Sequence, residues 1–292
     1  MRLFFAIAIG FVPLGIFMLF LILSQERRKQ KTKTPFTSYL LRPPGESLRL
    51  RLEKLDEEVN DKLLYLVACC IFVGLGGWAW QDNAILAGII IFIALVPFAY
   101  FARKLFVILN RRRDFYLGFL GERALGEELN RLLANGWSVF HDVEFSDNPG
   151  AKPFNVDHVV VGTGGLFAIE TKTRRKQVKH SKQDPKNEVI YNGATLQFPW
   201  GEENFGVREA RERAEYLARW LSKNLGGQIP VQPVLALPSW SVKRRAGGDL
   251  RVISGKEILT LFRDEHEKNI LDPKTVKAIV ALLDQKCRDV GV

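Results

Sequence analysis

Charge is missing from long stretches of this 292-residue chain, and the gaps are its first informative feature. Residues 3–23 contain no Asp, Glu, Lys or Arg, and neither do residues 63–80 and 84–102. Each run, as a helix, covers roughly the 30 Å hydrocarbon core of a bilayer. Cysteine is scarce too: of the three, Cys69 and Cys70 lie within the second apolar run and Cys287 stands near the C-terminus. That excludes a disulfide framework and a cysteine zinc site, and it suits a reducing compartment. The four histidines show no paired metal-ligand spacing. No Gly-x-Ser-x-Gly nucleophile turn occurs, and Ser254-Gly255-Lys256 lacks the upstream glycine of a phosphate-binding loop, which excludes a nucleotide cofactor site of that kind. Internal repeats and low-complexity segments are also lacking.

A net charge of +10 invites a nucleic-acid reading until the charge is located. Residues 1–113 hold 16 Lys and Arg against 8 Asp and Glu, which leaves 26 against 24 in the remainder. Most of the surplus therefore flanks the apolar runs: Arg27, Arg28, Lys29, Lys31 and Lys33 follow the first, and Arg103, Lys104, Arg111, Arg112 and Arg113 follow the third. Gln81, Asp82 and Asn83 between the second and third carry no basic residue. Basic flanks mark the cytoplasmic side, so the pattern predicts an integral plasma-membrane protein with its N-terminus outside and everything beyond residue 103 in the cytoplasm. Trp78, Trp80, Tyr100 and Phe101 sit at segment ends, where amphipathic rings prefer the headgroup layer. The first run is longer than a signal-peptide core and is followed by no small-x-small cleavage site, so it reads as an uncleaved anchor.

The expected organisation is a transmembrane helix at 1–24, a cytoplasmic linker with a short charged helix at 25–62, a transmembrane hairpin at 63–102, a basic connector at 103–117 and a soluble domain at 118–292. Within that domain an amphipathic helix runs from Glu122 to Gly136. Strand patterns follow at 137–144, 156–161 and 166–172, then a helix at 204–225 and strands at 231–237 and 250–253. Short helical patterns at 256–262 and 272–289 end the chain. This order predicts an α/β fold with a mixed central sheet.

The chemistry centres on a glycine-rich hairpin, Asn155-Val-Asp157-His-Val-Val-Val-Gly162-Thr-Gly-Gly165-Leu-Phe-Ala-Ile-Glu170-Thr-Lys172. With Thr163-Gly164 as the loop, Asp157 lies opposite Glu170; with Gly164-Gly165, opposite Lys172. Both registers put the three residues on one face, with Phe167 and Ile169 as core anchors on the other. Two carboxylates at cross-strand distance repel each other and are satisfied by a shared hard cation, Mg²⁺ or Mn²⁺, while a lysine beside them positions or helps deprotonate a water. Such a site suits metal-assisted phosphodiester hydrolysis. Arg174, Arg175, Lys176 and Lys179, with His180 and Lys182, follow without an acidic residue before Asp184 and suit a phosphate backbone. Arg208, Arg211 and Arg219 alternate with Glu209, Glu212 and Glu215 and read as a solvated helix face.

These motifs resemble the nuclease-related domain, NERD, a branch of the PD-(D/E)xK nuclease superfamily, over residues 118–240. The resemblance is carried by Gly118-x-x-Gly121-Glu122, His141-Asp142-Val143, Asp157-His158-Val159-Val160-Val161-Gly162, Gly165-Leu-Phe-Ala-Ile169-Glu170-Thr171-Lys172 and Pro233-Val234-Leu235-Ala236-Leu237-Pro238. It implies an αβββαβ core after three transmembrane helices, with Asp157, Glu170 and Lys172 in the catalytic positions and Glu122 beside the metal. Glu122 also suits a first-turn acid at a helix N-terminus. Asn204-Phe205-Gly206-Val207-Arg208-Glu209 departs from the Asn-Pro, glutamine-rich start of the family's second helix. The expected function is metal-dependent cleavage of DNA at the membrane, with a non-cleaving nucleic-acid- or protein-binding module as the alternative.

Overall fold

The computed structural model describes residues 39–79, 83–146, 153–176, 187–266, 268 and 270–290. The first apolar run, the linker up to residue 38, Gln81, Asp82, Lys179, His180 and Lys182 lie outside the described residues. Residues Met1–Leu40 with Val290–Val292 form one unit and Leu41–Asp289 another; all that follows concerns the second.

Two helices open it, α1 (Glu46–Ala79) and α2 (Ala84–Asn130), of 34 and 47 residues. Asn83 caps α2, its Oδ1 accepting from the Ile85 and Leu86 N–H groups at 3.1 Å. The helices run antiparallel: Tyr65 stacks on Phe101, Asp56 pairs with Arg112, and Leu48 abuts Gly118. Both are long and apolar enough to cross a membrane, and Leu64, Ile85, Phe92 and Ile93 point their apolar side chains outward. The boundaries expected inside them are absent. The charged helix at 48–62 and the second apolar run are one helix, and the connector at 103–117 is part of α2. Glu122 therefore stands far inside a helix rather than in its first turn. A change of hydropathy does not break a helix; lost hydrogen bonds and Pro or Gly strain do, and the joins at 62–63 and 102–118 contain neither Pro nor a Gly pair.

After a 3₁₀ turn closed by Gly136 at φ +80°, strands β1 (Ser138–Phe145), β2 (Phe154–Gly162) and β3 (Gly165–Thr171) form an antiparallel meander. Gly162 pairs with Gly165 and His158 with Ile169, which fixes Thr163-Gly164 as the loop. Gly165, at φ +138°, supplies backbone freedom that a side chain would penalise. Strands β4 (Glu188–Tyr191), β5 (Leu196–Phe198) and β6 (Gly201–Glu203) precede helix α3 (Phe205–Leu225). Then come β7 (Gln232–Leu237), β8 (Ser241–Arg244), β9 (Arg251–Ser254), α4 (Ile258–His266) and α5 (Pro273–Cys287).

The main sheet has the order β9-β7-β3-β2-β1, parallel on the β9-β7-β3 side, so the expected mixed α/β sheet is present. Period-two alternation divides its side chains. Val159, Val161, Leu166 and Ala168 pack against Ala214, Leu217 and Leu221 of α3 and Ile279 and Leu283 of α5. Val160, Phe167 and Ile169 face Leu125 and Leu129 of α2 and Phe262 of α4. A second sheet, β6-β5-β4-β8, is not foretold by the hydropathy pattern. Its strands are three or four residues long, and segments such as Gly-Glu-Glu and Ser-Val-Lys-Arg carry no alternation strong enough to read.

Candidate active site

The acidic centre forms where β3 ends. β2 and β3 place Asp157 and Glu170 on the α3 side of the sheet, both 4% exposed. The Asp157 Oδ2 accepts a hydrogen bond from the Thr171 N–H at 2.8 Å. Lys172, one residue beyond β3, keeps the ladder alive through its N–H, which donates to the Ala236 carbonyl at 3.0 Å. Its Nζ lies 2.5 Å from Glu170 Oε1 and 2.8 Å from Glu209 Oε2. Glu122 reaches the same place from α2 and is also buried. That approach depends on Gly121: a Cβ there would stand 1.9 Å from Thr173 Oγ1, so any other residue would hold the helix off the strand end.

Electrostatics set the demands of this cluster. Burial, reinforced by Glu122 and Glu170, pushes the Asp157 carboxyl well above its usual range. Burial does the same to Glu170 despite the opposing Lys172 ammonium. Glu122, well beyond the apolar stretch that ends at residue 102, is pushed up to about 8 by burial, with Asp142 and Glu170 adding repulsion. Burial works against the Lys172 ammonium, but Glu170, Asp157 and Glu209 outweigh it and hold it above the usual lysine range. With these carboxylates around it, Lys172 favours its charged form, which can orient a water or steady a developing negative charge. Glu122 Oε2 and Glu170 Oε2 are buried without a hydrogen-bond partner. Orphaned, acceptor-only carboxylate oxygens are costly in a dry site and are the donor type a hard divalent cation takes. Among the described residues no group of three or more His, Cys, Asp or Glu is arranged around one metal position. The cluster thus matches the chemistry of Mg²⁺ or Mn²⁺ in its oxygens rather than in a closed coordination shell.

All four core residues expected from the sequence, Asp157, Glu170, Lys172 and Glu122, come together. The basic run does so only partly. Arg174 pairs with Glu203 at 3.0 Å and Arg175 with Asp114 at 2.8 Å, so both guanidinium groups already serve internal carboxylates; Lys176 is exposed. Arg208 and Arg219 lie along the solvated face with Glu212 and Glu215, as expected. Glu209 does not: it turns to Lys172 and is held at 3.2 Å by Arg213. Gly206, Glu209 and Arg213 recur at helical spacing on the face of α3 toward the strand end, and that spacing is the one signal that distinguishes Glu209 from its acidic neighbours.

Two further polar groups brace the centre. Asp142, fully buried at φ +51° in β1, accepts from the Ser47 N–H at 2.7 Å, Ser47 Oγ at 2.8 Å and Asn155 Nδ2 at 2.6 Å, and pairs with Arg42 at 3.2 Å. Its carboxylate satisfies donors in the first turn of α1, a capping role that no local sequence pattern signals. Behind the acidic face, His141 and His158 meet Nδ1 to Nδ1 at 2.9 Å, and His141 Nε2 donates to Asn130 Oδ1 at 2.9 Å. That chain assigns the Nδ1 proton to His158 and leaves His141 Nδ1 as the acceptor, so both rings are neutral. Burial depresses His141 to about 4, and burial with the neighbouring His141 holds His158 well below its ordinary range.

No curated protein matches the chain. A solved structure, described as the crystal structure of a protein of unknown function, AF1548, is similar at 15% identity over 56% of this chain and 96% of its own. Its TM-score is 0.23, a likeness that bears on neither fold nor function. Residues 117–238 match the family profile of NERD, the nuclease-related domain, and span β1 to β7 together with the end of α2 that carries Glu122.

Proposed function

We propose that the protein is a membrane-anchored, divalent-metal-dependent nuclease that hydrolyses DNA phosphodiester bonds at the cytoplasmic face. The observation that carries the reading is the convergence of Asp157, Glu170 and Glu122 on a single lysine cation, with one oxygen each of Glu122 and Glu170 left unpartnered. Asp157 and Glu170, with Glu122 beside them, would hold Mg²⁺ or Mn²⁺ together with oxygens of water or phosphate, and the ion would supply Lewis-acid stabilisation of the charge that grows on the phosphate. Lys172, kept protonated by its carboxylate neighbours, orients the attacking water and opposes the same negative charge. Glu209 and Arg213 fix the direction of the Lys172 side chain. Lys176 contributes backbone attraction on the exposed side, while the two long apolar helices, with Arg103, Lys104 and Arg111 to Arg113 at the cytoplasmic boundary, supply the anchor.

The test is cleavage of labelled single-stranded and double-stranded DNA by the full chain in detergent, with Mg²⁺, Mn²⁺ or EDTA, beside Glu170→Gln and Lys172→Met. Metal-dependent cleavage lost in both folded variants supports the reading. One observation favours a binding module that does not cut: Glu170 is only 4% exposed, and Lys172 is held between Glu170 and Glu209. DNA binding without cleavage under every metal condition would establish that alternative.

A further inference from the structure

Two large aromatic side chains that flank strand β6 in sequence are left about half exposed, and one of them touches this centre. Helix α3 buries Gly206, Val207, Ala210, Ala214, Leu217 and Leu221 against the sheets. Phe205, its first residue, lies off that stripe with half of its surface exposed. The ring centroid lies 5.6 Å from Lys172 Nζ and 5.8 Å from the Arg208 guanidinium carbon, so the site cation and a solvent-side cation both adjoin the ring. Five residues earlier, at the β5–β6 turn, Trp200 is 44% exposed. Its ring is stacked on Phe198 at 4.9 Å and 12° and meets Trp240 edge-on at 5.4 Å. Strand β6 joins the two rings and is tied back to the site segment through Glu203 and Arg174. Exposing large apolar rings beside a buried charged centre gains nothing for folding.

We propose that Phe205 and Trp200 are a stacking platform for unpaired bases of the strand whose phosphate enters the Lys172 centre, so that the substrate is single-stranded or locally unpaired DNA. The proposal rests on the nuclease reading of that centre. Every base carries a π face, and aromatic side chains stack on it without regard to sequence, with cations nearby strengthening the contact. In a duplex those faces are taken by neighbouring base pairs, so a platform of this kind is of use only to an unpaired strand. A lipid surface is the competing occupant for exposed aromatics in a tethered protein. Phe205 lies against Lys172 of the acidic centre and not on the apolar helices, which favours a strand bound at that centre over a lipid.

The test uses the full chain in detergent with EDTA present, so that binding is read without cleavage. The ligands are a labelled single strand, the same strand carrying abasic sites, and the corresponding duplex. The wild type is expected to bind the ordinary strand about tenfold tighter than the other two. Phe205→Ala and Trp200→Ala are expected to remove most of that preference, Phe205→Tyr to keep it, and Lys172→Met to weaken all three ligands alike. Equal binding of ordinary and abasic strands, or a preference that survives Phe205→Ala in a folded variant, overturns the platform while leaving cleavage intact. Failure to bind any nucleic acid both in EDTA and with Ca²⁺ in its place removes the nuclease reading as well. In nanodiscs, quenching by brominated lipid of fluorescence that Trp200→Phe abolishes would place this surface in the membrane and also overturn the proposal.

Discussion

In the helical hairpin Ile85, Phe92 and Ile93 turn apolar side chains outward, while at the end of β3 Asp157, Glu170 and Glu122 turn carboxylates inward. Each region inverts the usual rule of a water-soluble fold, and the inversions have different physical causes. The exposed aliphatic surface is stable only where the surroundings are as apolar as the side chains. The buried acids are stable only where protons or cations offset their charge. Along β2 and β3 the ordinary rule holds at Val159, Val160, Val161 and Ile169, which are fully enclosed.

The sharpest break of the comparison is to remove charge from the acidic end. Asp157→Asn and Glu170→Gln are each expected to lower cleavage by at least about 10²-fold, the scale on which single electrostatic stabilisers act. The same variants should melt no lower than the wild type, because each removes a carboxyl that burial holds above its normal range. A parallel loss of activity and melting temperature would mean that these acids hold the fold together instead. The converse break puts charge into the hairpin. Phe92→Lys, at a position 68% exposed, should cost roughly 3 kcal/mol of insertion at a mid-helix site. The readout is the fraction of chain that resists alkaline extraction from membranes. Arg111→Ser, outside the apolar stretch, should leave that fraction unchanged.

Legibility followed the strength of the local pattern. The β2–β3 hairpin was readable from two strand patterns around a glycine-rich turn, which left the loop open between Thr163-Gly164 and Gly164-Gly165; the pairing of Gly162 with Gly165 selects the first. Glu122 was readable only through the Gly118-x-x-Gly121 pattern before it, since nothing local separates a metal-side acid from any other helical glutamate. Glu209 was hidden among Glu212 and Glu215, which do lie on the solvated face, because charge alternation on a helix looks alike whichever acid turns inward. Asp142 was out of reach: its partners, Arg42 and Ser47, are about a hundred residues away, and its positive φ leaves no mark in the composition. The His141–His158 pair was missed because a cross-strand contact between β1 and β2 has no fixed spacing in sequence.

Smaller effects sharpen how the helix meets the acidic end. Gly121→Ala should destabilise by about 1–3 kcal/mol through overpacking against Thr173. Most of that loss should return in the double variant with Thr173→Gly, read by thermal melts. Failure of Thr173→Gly to compensate would mean that the close approach of α2 to the strand is not what positions Glu122.

A comparable effect, confined to acid pH, concerns the neutral histidine pair. His141 is held near 4 when folded and reverts to its ordinary value when unfolded, so between those values the unfolded chain binds the additional proton. Its contribution to stability is therefore intact above about pH 6.5 and declines as pH falls toward 4, by on the order of 3 kcal/mol at most. Replacing His141 with Asn should flatten the dependence of melting temperature on pH across that window, whereas an unchanged slope would show that other groups set it.

The central claim is that the acids at the end of β3 are organised for a divalent cation, and titration calorimetry of the full chain with Mn²⁺ tests it most directly. Saturable binding by the wild type, lost in Asp157→Asn and in Glu170→Gln while both remain folded, is the predicted result. Absence of Mn²⁺ binding to the folded wild type, or binding that survives both substitutions, would contradict it.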